Sequence, residues 1–212
     1  MAEPDQTAPE AMPPGICIIT PTKIDRDVLA GAFAAALIPD CLEVVILSGD
    51  TISQSPGRVI RDLRALVAHH GKVFLVEDDI TLAAELEAEG TLVSDLIALQ
   101  KTKSRIGPEA MVGVMCGTSR HSAMEAGEAG ADFVGLQAAE TLKADDASFT
   151  DHITWWRELF EIPSVTFGAT TTAMATTQLQ AGADFVALGE EYWANGTMAK
   201  TIETLATLTD ET

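Results

Sequence analysis

Residues 129–135 read Ala-Gly-Ala-Asp-Phe-Val-Gly, and residues 181–187 read Ala-Gly-Ala-Asp-Phe-Val-Ala. The copies lie 52 residues apart (181 − 129). A repeat at such a spacing marks a recurring supersecondary unit. In each copy an alanine-rich helix runs into a glycine, Gly130 or Gly182, the residue that takes a left-handed turn at least steric cost. Asp132 or Asp184 then leads into Phe-Val-Gly-Leu or Phe-Val-Ala-Leu. Short apolar runs of this kind suit a strand buried on both faces. The unit is therefore helix, glycine stop, buried strand. Two strand–helix units of roughly 25 residues each fill the offset.

Working outward, the same rhythm covers the chain. Apolar runs at 16–19, 43–47, 72–76, 91–93, 111–114, 133–136, 164–167 and 185–188 predict strands. Helical stretches are predicted between them at 28–37, 55–71, 81–88, 96–105, 119–130, 153–160, 173–181 and 195–208. Ser55 is expected to cap the second of these, with Pro56 in its first turn, and Ser119 or Ser122 to cap the fifth. Eight alternating units imply a parallel sheet closed into a single (β/α)8 TIM barrel over residues 15–212. An open doubly wound sheet would carry a glycine-rich phosphate fingerprint after its first strand, and none stands there. Residues 1–14, rich in proline and alanine, are expected to be a disordered tail.

Composition narrows the partners. The net charge of −19 disfavours nucleic acid and anionic membrane. No apolar run is long enough to cross a bilayer, and the N-terminal stretch lacks the basic start of a signal peptide. Cys17, Cys41 and Cys116 have neither disulfide nor metal spacing, so a cytoplasmic location is expected. Trp155, Trp156, Tyr192 and Trp193 are expected to pack the helical ring; a dimer face is the alternative, and a homo-oligomer stays open.

In such barrels the chemistry lies at the C-terminal strand ends. Those positions hold Thr20, Thr22, Lys23, Ser48, Asp50, Glu77, Asp78, Asp79, Ser94, Asp95, Cys116, Thr118, Ser119, Arg120, Gln137, Thr141, Lys143, Gly168, Thr170, Gly189, Glu190 and Glu191. Gly168 and Gly189, after the last two strands, suit a phosphate held by backbone N–H groups; tight turns alone would also explain them. Asp78 and Asp95 would lie on neighbouring strand ends. Paired carboxylates with open coordination suit Mg²⁺, which also takes substrate phosphates; a solvated acidic surface is the plainer explanation. His69, His70, His121 and His152 fall in predicted helices, so no acid–base histidine is assigned. Cys116 has no histidine partner in view and reads as an inert thiol.

These motifs together resemble the thiamine phosphate synthase/TenI family. The resemblance rests on Leu-Val-Glu-Asp-Asp (75–79), Val-Gly-Val (112–114) with Thr118, the stretch 125–135, Ile162-Pro163, Gly168, and Gly-Ala-Asp-Phe-Val-Ala-Leu-Gly (182–189). It implies a (β/α)8 barrel that joins a hydroxymethylpyrimidine diphosphate to a thiazole phosphate, with diphosphate leaving as a Mg²⁺ complex. It implies Thr141 and Lys143 as catalytic, Gly168, Ala169, Gly189 and Thr118 as phosphate-binding, and Asp78 with Asp95 as metal ligands. The substrates implied are small phosphorylated heterocycles. Several positions depart from the family pattern. Its Gln-x-Arg-x-Lys after the second strand reads Ile46, Ser48 and Asp50, and its Asn-Asp-Arg after the third reads Glu77, Asp78 and Asp79. Each charge-assisted hydrogen bond lost from a diphosphate costs about 1.5–3 kcal/mol. A catalytically impaired or regulatory phosphate-binding barrel, or a TenI-type thiazole phosphate isomerase, are therefore the alternatives.

Overall fold

The computed structural model describes residues 15–137 and 147–209. The predicted tail, residues 1–14, lies outside them, as do Thr141 and Lys143. The strands β1 (Gly15–Ile19), β2 (Leu42–Leu47), β3 (Val73–Glu77), β4 (Gly90–Val93), β5 (Met111–Gly117), β6 (Phe133–Gln137), β7 (Ser164–Ala169) and β8 (Phe185–Leu188) pair in chain order into a closed parallel barrel. The eight apolar runs read from the sequence are these strands, and the TIM barrel is borne out. The helices outside them are α1 (Arg26–Val28), α2 (Ala34–Ala36), α3 (Gly49–Gln54), α4 (Gly57–His69), α5 (Ile80–Glu85), α6 (Leu96–Ile106), α7 (Arg120–Glu128), α8 (Ala147–Leu159), α9 (Thr172–Gln180), α10 (Glu190–Ala194) and α11 (Met198–Thr209). A π-helical stretch, Leu29–Phe33, joins α1 to α2.

The differences from expectation are local. Helices α3 and α10, directly after β2 and β8, are six and five residues long, too short to show a helical apolar period. Helix α8 begins at Ala147 rather than at 153. Ser55 does not cap α4; its Oγ accepts the N–H of Ile24 at 2.9 Å, and Pro56 holds the N-cap position. Ser119, rather than Ser122, caps α7, accepting the N–H of Ser122 at 3.1 Å.

The repeated stretch explains how the barrel is built. Gly130 and Gly182 have φ of +87° and +102° and make the turns that end α7 and α9. The aspartate that follows reaches sideways to the neighbouring strand. Asp132 Oδ2 accepts the N–H of Val112 at the start of β5, and Asp184 Oδ2 accepts the N–H of Ser164 at the start of β7, both at 2.8 Å. A base from the preceding even-numbered helix completes each tie: Lys103 with Asp132 at 3.0 Å, Arg157 with Asp184 at 3.2 Å. Glu89 does the same without the repeat, accepting the N–H of Phe74 in β3 at 2.8 Å and pairing with Arg64 at 2.8 Å. Next, Phe133 and Phe185 turn into the barrel interior opposite Gly113 and Gly15 on the adjoining strands, where any added Cβ would collide with the ring.

All of these ties sit at the N-terminal end of the barrel, away from the strand ends that carry chemistry. Outside the sheet, Trp156 stacks on Phe160 at 4.2 Å and Trp193 on Phe33 at 5.1 Å, so these aromatics pack the helical ring. Among the described residues no helix is long and apolar enough to cross a membrane.

The ties lead to a first prediction. Asp184→Ala leaves the N–H of fully buried Ser164 without its acceptor and is expected to cost about 2 kcal/mol of stability. Arg157→Met removes only the partly exposed partner and is expected to cost less than about 1 kcal/mol. Urea midpoints of the two variants decide the matter: equal losses would show that the ion pair, not the backbone bond, is what counts.

Candidate active-site cleft

The C-terminal ends of β1, β2, β6, β7 and β8 surround a cleft of about 260 Å³. Its apolar part is Ile19, Phe167, Ala169 and Ala187. Thr20, Thr22, Ser48, Gln137, Gly168 and Gly189 add polar atoms and bare backbone, and Asp50, Glu190 and Glu191 bring carboxylates. The pairing of β7 with β8 shifts register between Thr166 and Ala169. Gly168 sits in that bulge with φ +90°, a conformation that favours glycine, and nothing lies within 4 Å of where a Cβ would be. Gly189 is different. Its backbone is extended at φ −112°, and a Cβ would meet only Ile19 and Glu191 at 3.8 Å. Of the two glycines, Gly168 is the one whose turn needs glycine.

Where the resemblance implies an arginine, Ser48 belongs to a buried hydroxyl network. Thr51 Oγ1 donates to the carbonyl of Pro21 at 2.6 Å and accepts from Thr20 Oγ1 at 2.6 Å and Ser48 Oγ at 2.9 Å. Thr20 Oγ1 in turn accepts the N–H of Ser48 at 3.0 Å. The network satisfies its own donors and acceptors and fixes the end of β1 against the end of β2. Thr51 escaped the sequence reading because it lies in the short α3.

The acids at the strand ends have specific employment. Glu77 Oε2 accepts the N–H of Gly49 at 2.9 Å, tying β3 to the first residue of α3. Glu190 Oε2 accepts both the N–H of Thr22 at 2.7 Å and its hydroxyl at 3.1 Å. Asp79 caps α5 through the N–H of Leu82 at 2.9 Å, and Asp95 caps α6 through the N–H of Ala98 at 2.7 Å. Asp78 Oδ1 accepts the N–H of Ser94 at 2.8 Å, joining the ends of β3 and β4. Carboxylates of the chain itself thus occupy backbone donors that a bound anion could have used.

Asp78 stands in the left-handed region at φ +48°, a strained conformation that aspartate tolerates better than most residues. Asp78 and Asp95 each spend Oδ1 on a backbone N–H, and each has a second oxygen for a cation. Among the described residues no group of three or more His, Cys, Asp or Glu converges to hold a metal ion. The donor set therefore fits only an ion held mainly by water and substrate oxygens, the usual habit of Mg²⁺.

Neither Asp78 nor Asp95 lines the cleft, and Thr118 lies outside its lining, exposed in the turn before α7. Gly168, Ala169 and Gly189 are brought together there. Arg120 lays its guanidinium over the ring of Trp155 at 4.6 Å. Cys116 is 7% exposed, and burial pushes its thiol up to about 11, so it stays protonated near neutral pH and is no nucleophile.

A closed (β/α)8 barrel with a concave site at its C-terminal mouth defines the class: barrels that act on small molecules held by strand-end loops. The comparisons narrow it. Residues 16–191 match the family model described as thiamine monophosphate synthase, and the chain belongs to that family. A "Thiamine-phosphate synthase" of Rhodospirillum centenum is 34% identical over 181 residues, covering 83% of this chain and 87% of the relative. Another, of Erythrobacter litoralis, is 38% identical over 143 residues, covering 65% and 67%. Among solved structures, the thiamine phosphate pyrophosphorylase of Pyrococcus furiosus superposes with a TM-score of 0.69 at 22% identity, covering 93% of this chain and 96% of that one. The 3-hexulose-6-phosphate synthase of Salmonella typhimurium reaches 0.70 at 15% identity, covering 92% and 99%. These two likenesses speak to the fold alone.

Proposed function

We propose that this chain is a thiamine-phosphate synthase that joins a hydroxymethylpyrimidine diphosphate to a thiazole phosphate at the C-terminal mouth of the barrel. The observation that carries the reading is the cleft itself, opened by the Gly168 bulge at the end of β7 in a chain 34% identical to a thiamine-phosphate synthase over most of both lengths. In the reaction the thiazole nitrogen forms the new bond to the pyrimidine methylene carbon while the carbon–oxygen bond to diphosphate breaks. The electron pair leaves with the diphosphate. The thiazole monophosphate sits against the bare backbone of Gly168, Ala169 and Gly189. Asp78 and Asp95 would hold Mg²⁺, which when bound neutralises diphosphate charge. Thr141 and Lys143, which follow β6 in the chain, are given the catalytic part by the family resemblance alone. The protein works as a soluble cytoplasmic enzyme.

A second reading has its own observation. Ser48, Asp50 and Asp79 stand where the family pattern places other groups, two of them acids. That favours a barrel that keeps the monophosphate end and has lost turnover.

Calorimetric titration separates the two. Binding of both thiazole phosphate and pyrimidine diphosphate with Mg²⁺, with coupled product on mixing, supports the synthase. Binding of the monophosphate alone, without product, supports the second reading. Gly168→Val fills the bulge and is expected to weaken thiazole phosphate by at least about tenfold. Gly189→Ala meets only ordinary contacts at 3.8 Å and should change affinity less than about threefold. Thiazole phosphate binding unchanged by Gly168→Val would refute the phosphate placement.

A further inference from the structure

We propose that the β1–β2 side of the cleft is a wall that only accepts hydrogen bonds, that it selects a ring carrying an exocyclic amino group, and that Thr51 is the positioning residue that makes it so. The inference rests on reading the cleft as the synthase site and gives the pyrimidine half of the reaction its place there.

The direction of the protons in this wall follows from one carbonyl. The Pro21 carbonyl can only accept, so at 2.6 Å Thr51 Oγ1 must give it its single proton. Thr51 Oγ1 then has only lone pairs for its other two neighbours. Thr20 Oγ1 at 2.6 Å and Ser48 Oγ at 2.9 Å must each donate to it, because two oxygens that close with no proton between them repel. Thr51 is fully buried and does not line the cleft, whereas Thr20 and Ser48 do. Their protons therefore point inward, away from any ligand.

The other donors of the wall are committed as well. Thr22, the third hydroxyl residue of the lining, gives its proton to Glu190 Oε2 at 3.1 Å. The backbone N–H groups of Thr20, Thr22 and Ser48 go to the Ile46 carbonyl, Glu190 Oε2 and Thr20 Oγ1. None of these three residues has an N–H or O–H to offer a ligand. Lone pairs remain. A hydroxyl oxygen accepts twice; Thr20 Oγ1 takes one N–H, from Ser48 at 3.0 Å, and Ser48 Oγ takes one, from Thr51 at 3.2 Å. Each keeps a second acceptor site.

A wall of this kind discriminates by proton count. An amino group brings protons to it. An oxygen in the same place sets lone pairs against lone pairs and leaves both without partners once water is excluded. Of the two substrates in the proposed reaction, the aminopyrimidine carries such a group and the thiazole phosphate does not. The wall cannot donate to a phosphate, which leaves the anion to the backbone of Gly168, Ala169 and Gly189 at the ends of β7 and β8. Ring and phosphate thus take different sides of one mouth, and Thr51 acts through Thr20 and Ser48 without touching either.

The test titrates the full chain with 4-amino-5-hydroxymethyl-2-methylpyrimidine and with its 4-methoxy counterpart, in mildly alkaline buffer where both rings are neutral. The amino ring is expected to bind about tenfold more tightly. Thr51→Val frees the protons of Thr20 and Ser48 to turn into the cleft, so the methoxy ring should gain and the preference should fall to about threefold or less. Thr51→Ser keeps the hydroxyl and should restore the preference. A merely structural role for Thr51 would weaken both rings alike and leave their ratio unchanged. Equal affinity of the two rings for the unmodified chain overturns the inference, whatever the variants do, and so does a ratio unmoved by Thr51→Val. Product formation from the pyrimidine diphosphate and thiazole phosphate, measured in parallel, keeps the two readings apart. If product forms while neither ring binds, or while both bind equally, only this inference falls. If neither ring binds and no product forms, the synthase reading falls with it.

Discussion

Gly90→Ala is expected to destabilise the protein by about 3 kcal/mol or more. Gly90 opens β4 and pairs with Leu75 on β3 and Met111 on β5. A Cβ placed there would run into the backbone carbonyl of Met111. A flexible side chain could rotate away, but a carbonyl in the wall of a closed barrel cannot. The strands must part, and the ladder on that side lengthens or breaks. The appropriate control is Gly117→Ala at the other end of the neighbouring strand. Gly117 has φ +58° with nothing within 4 Å of the added atom, so only the backbone cost of about 1 kcal/mol applies. Denaturant midpoints of the pair give the comparison, and equal losses would mean the barrel wall yields more readily than its closure implies. A parted β4 would also disturb the bond between Asp78 and the N–H of Ser94 just beyond that strand.

Trp156→Ala is the second large effect, about 3–5 kcal/mol. The indole is 1% exposed, lies flat on Phe160 with an interplanar angle of 15°, and donates from Nε1 to the carbonyl of Ile162 at 2.8 Å. Beside it, Gly127 on α7 faces the ring at ordinary contact distance, 3.9 Å from where a Cβ would lie, while Ile162 Cδ1 at 2.9 Å limits the space there. Truncation opens a void between α7 and α8 and orphans the carbonyl before Pro163. Trp156→Phe keeps most of the aromatic volume and removes the donor, so its cost should fall to about 1–2 kcal/mol. Thermal and urea denaturation of both variants measure the two contributions. A Trp156→Phe loss as large as the alanine loss would assign the residue's value to the hydrogen bond instead of the packing.

The fold was legible because the strands are short apolar runs bounded by glycine, acids and hydroxyls, and because one unit is written twice. Asp132 and Asp184 appear in the same frame because both hold a neighbouring strand's first N–H. The matching role of Glu89 was hidden, since its surroundings share no letters with the repeat. The site was legible only in outline. Gly168, Ala169 and Gly189 come together as read, but Asp79 and Asp95 are also helix caps, and Glu77 is a clamp on Gly49. A capping aspartate and a metal-binding aspartate are the same residue type at the same kind of strand end, and only the direction of the N–H beside them tells which bond is made. Thr51 and the two short helices lacked the length to leave a period.

The cleft lies across the place where the two ends of the ring meet. Glu190 reaches Thr22 across 168 positions, and the Trp193 Nε1–H reaches the carbonyl of Ile19 across 174. The ties at the opposite end of the barrel span only 25, 29 and 27 positions. Short loops close at lower entropic cost than long ones, so neighbouring pieces can assemble locally, while the β1–β8 seam depends on the most distant contacts in the chain. A ligand seated in the cleft touches both sides of that seam and binds only the closed ring. It therefore acts as a clasp. Occupancy should slow the opening of the β1–β8 edge, and amide hydrogen exchange along β1 and β8 would register the ligand more strongly than exchange along β4 and β5.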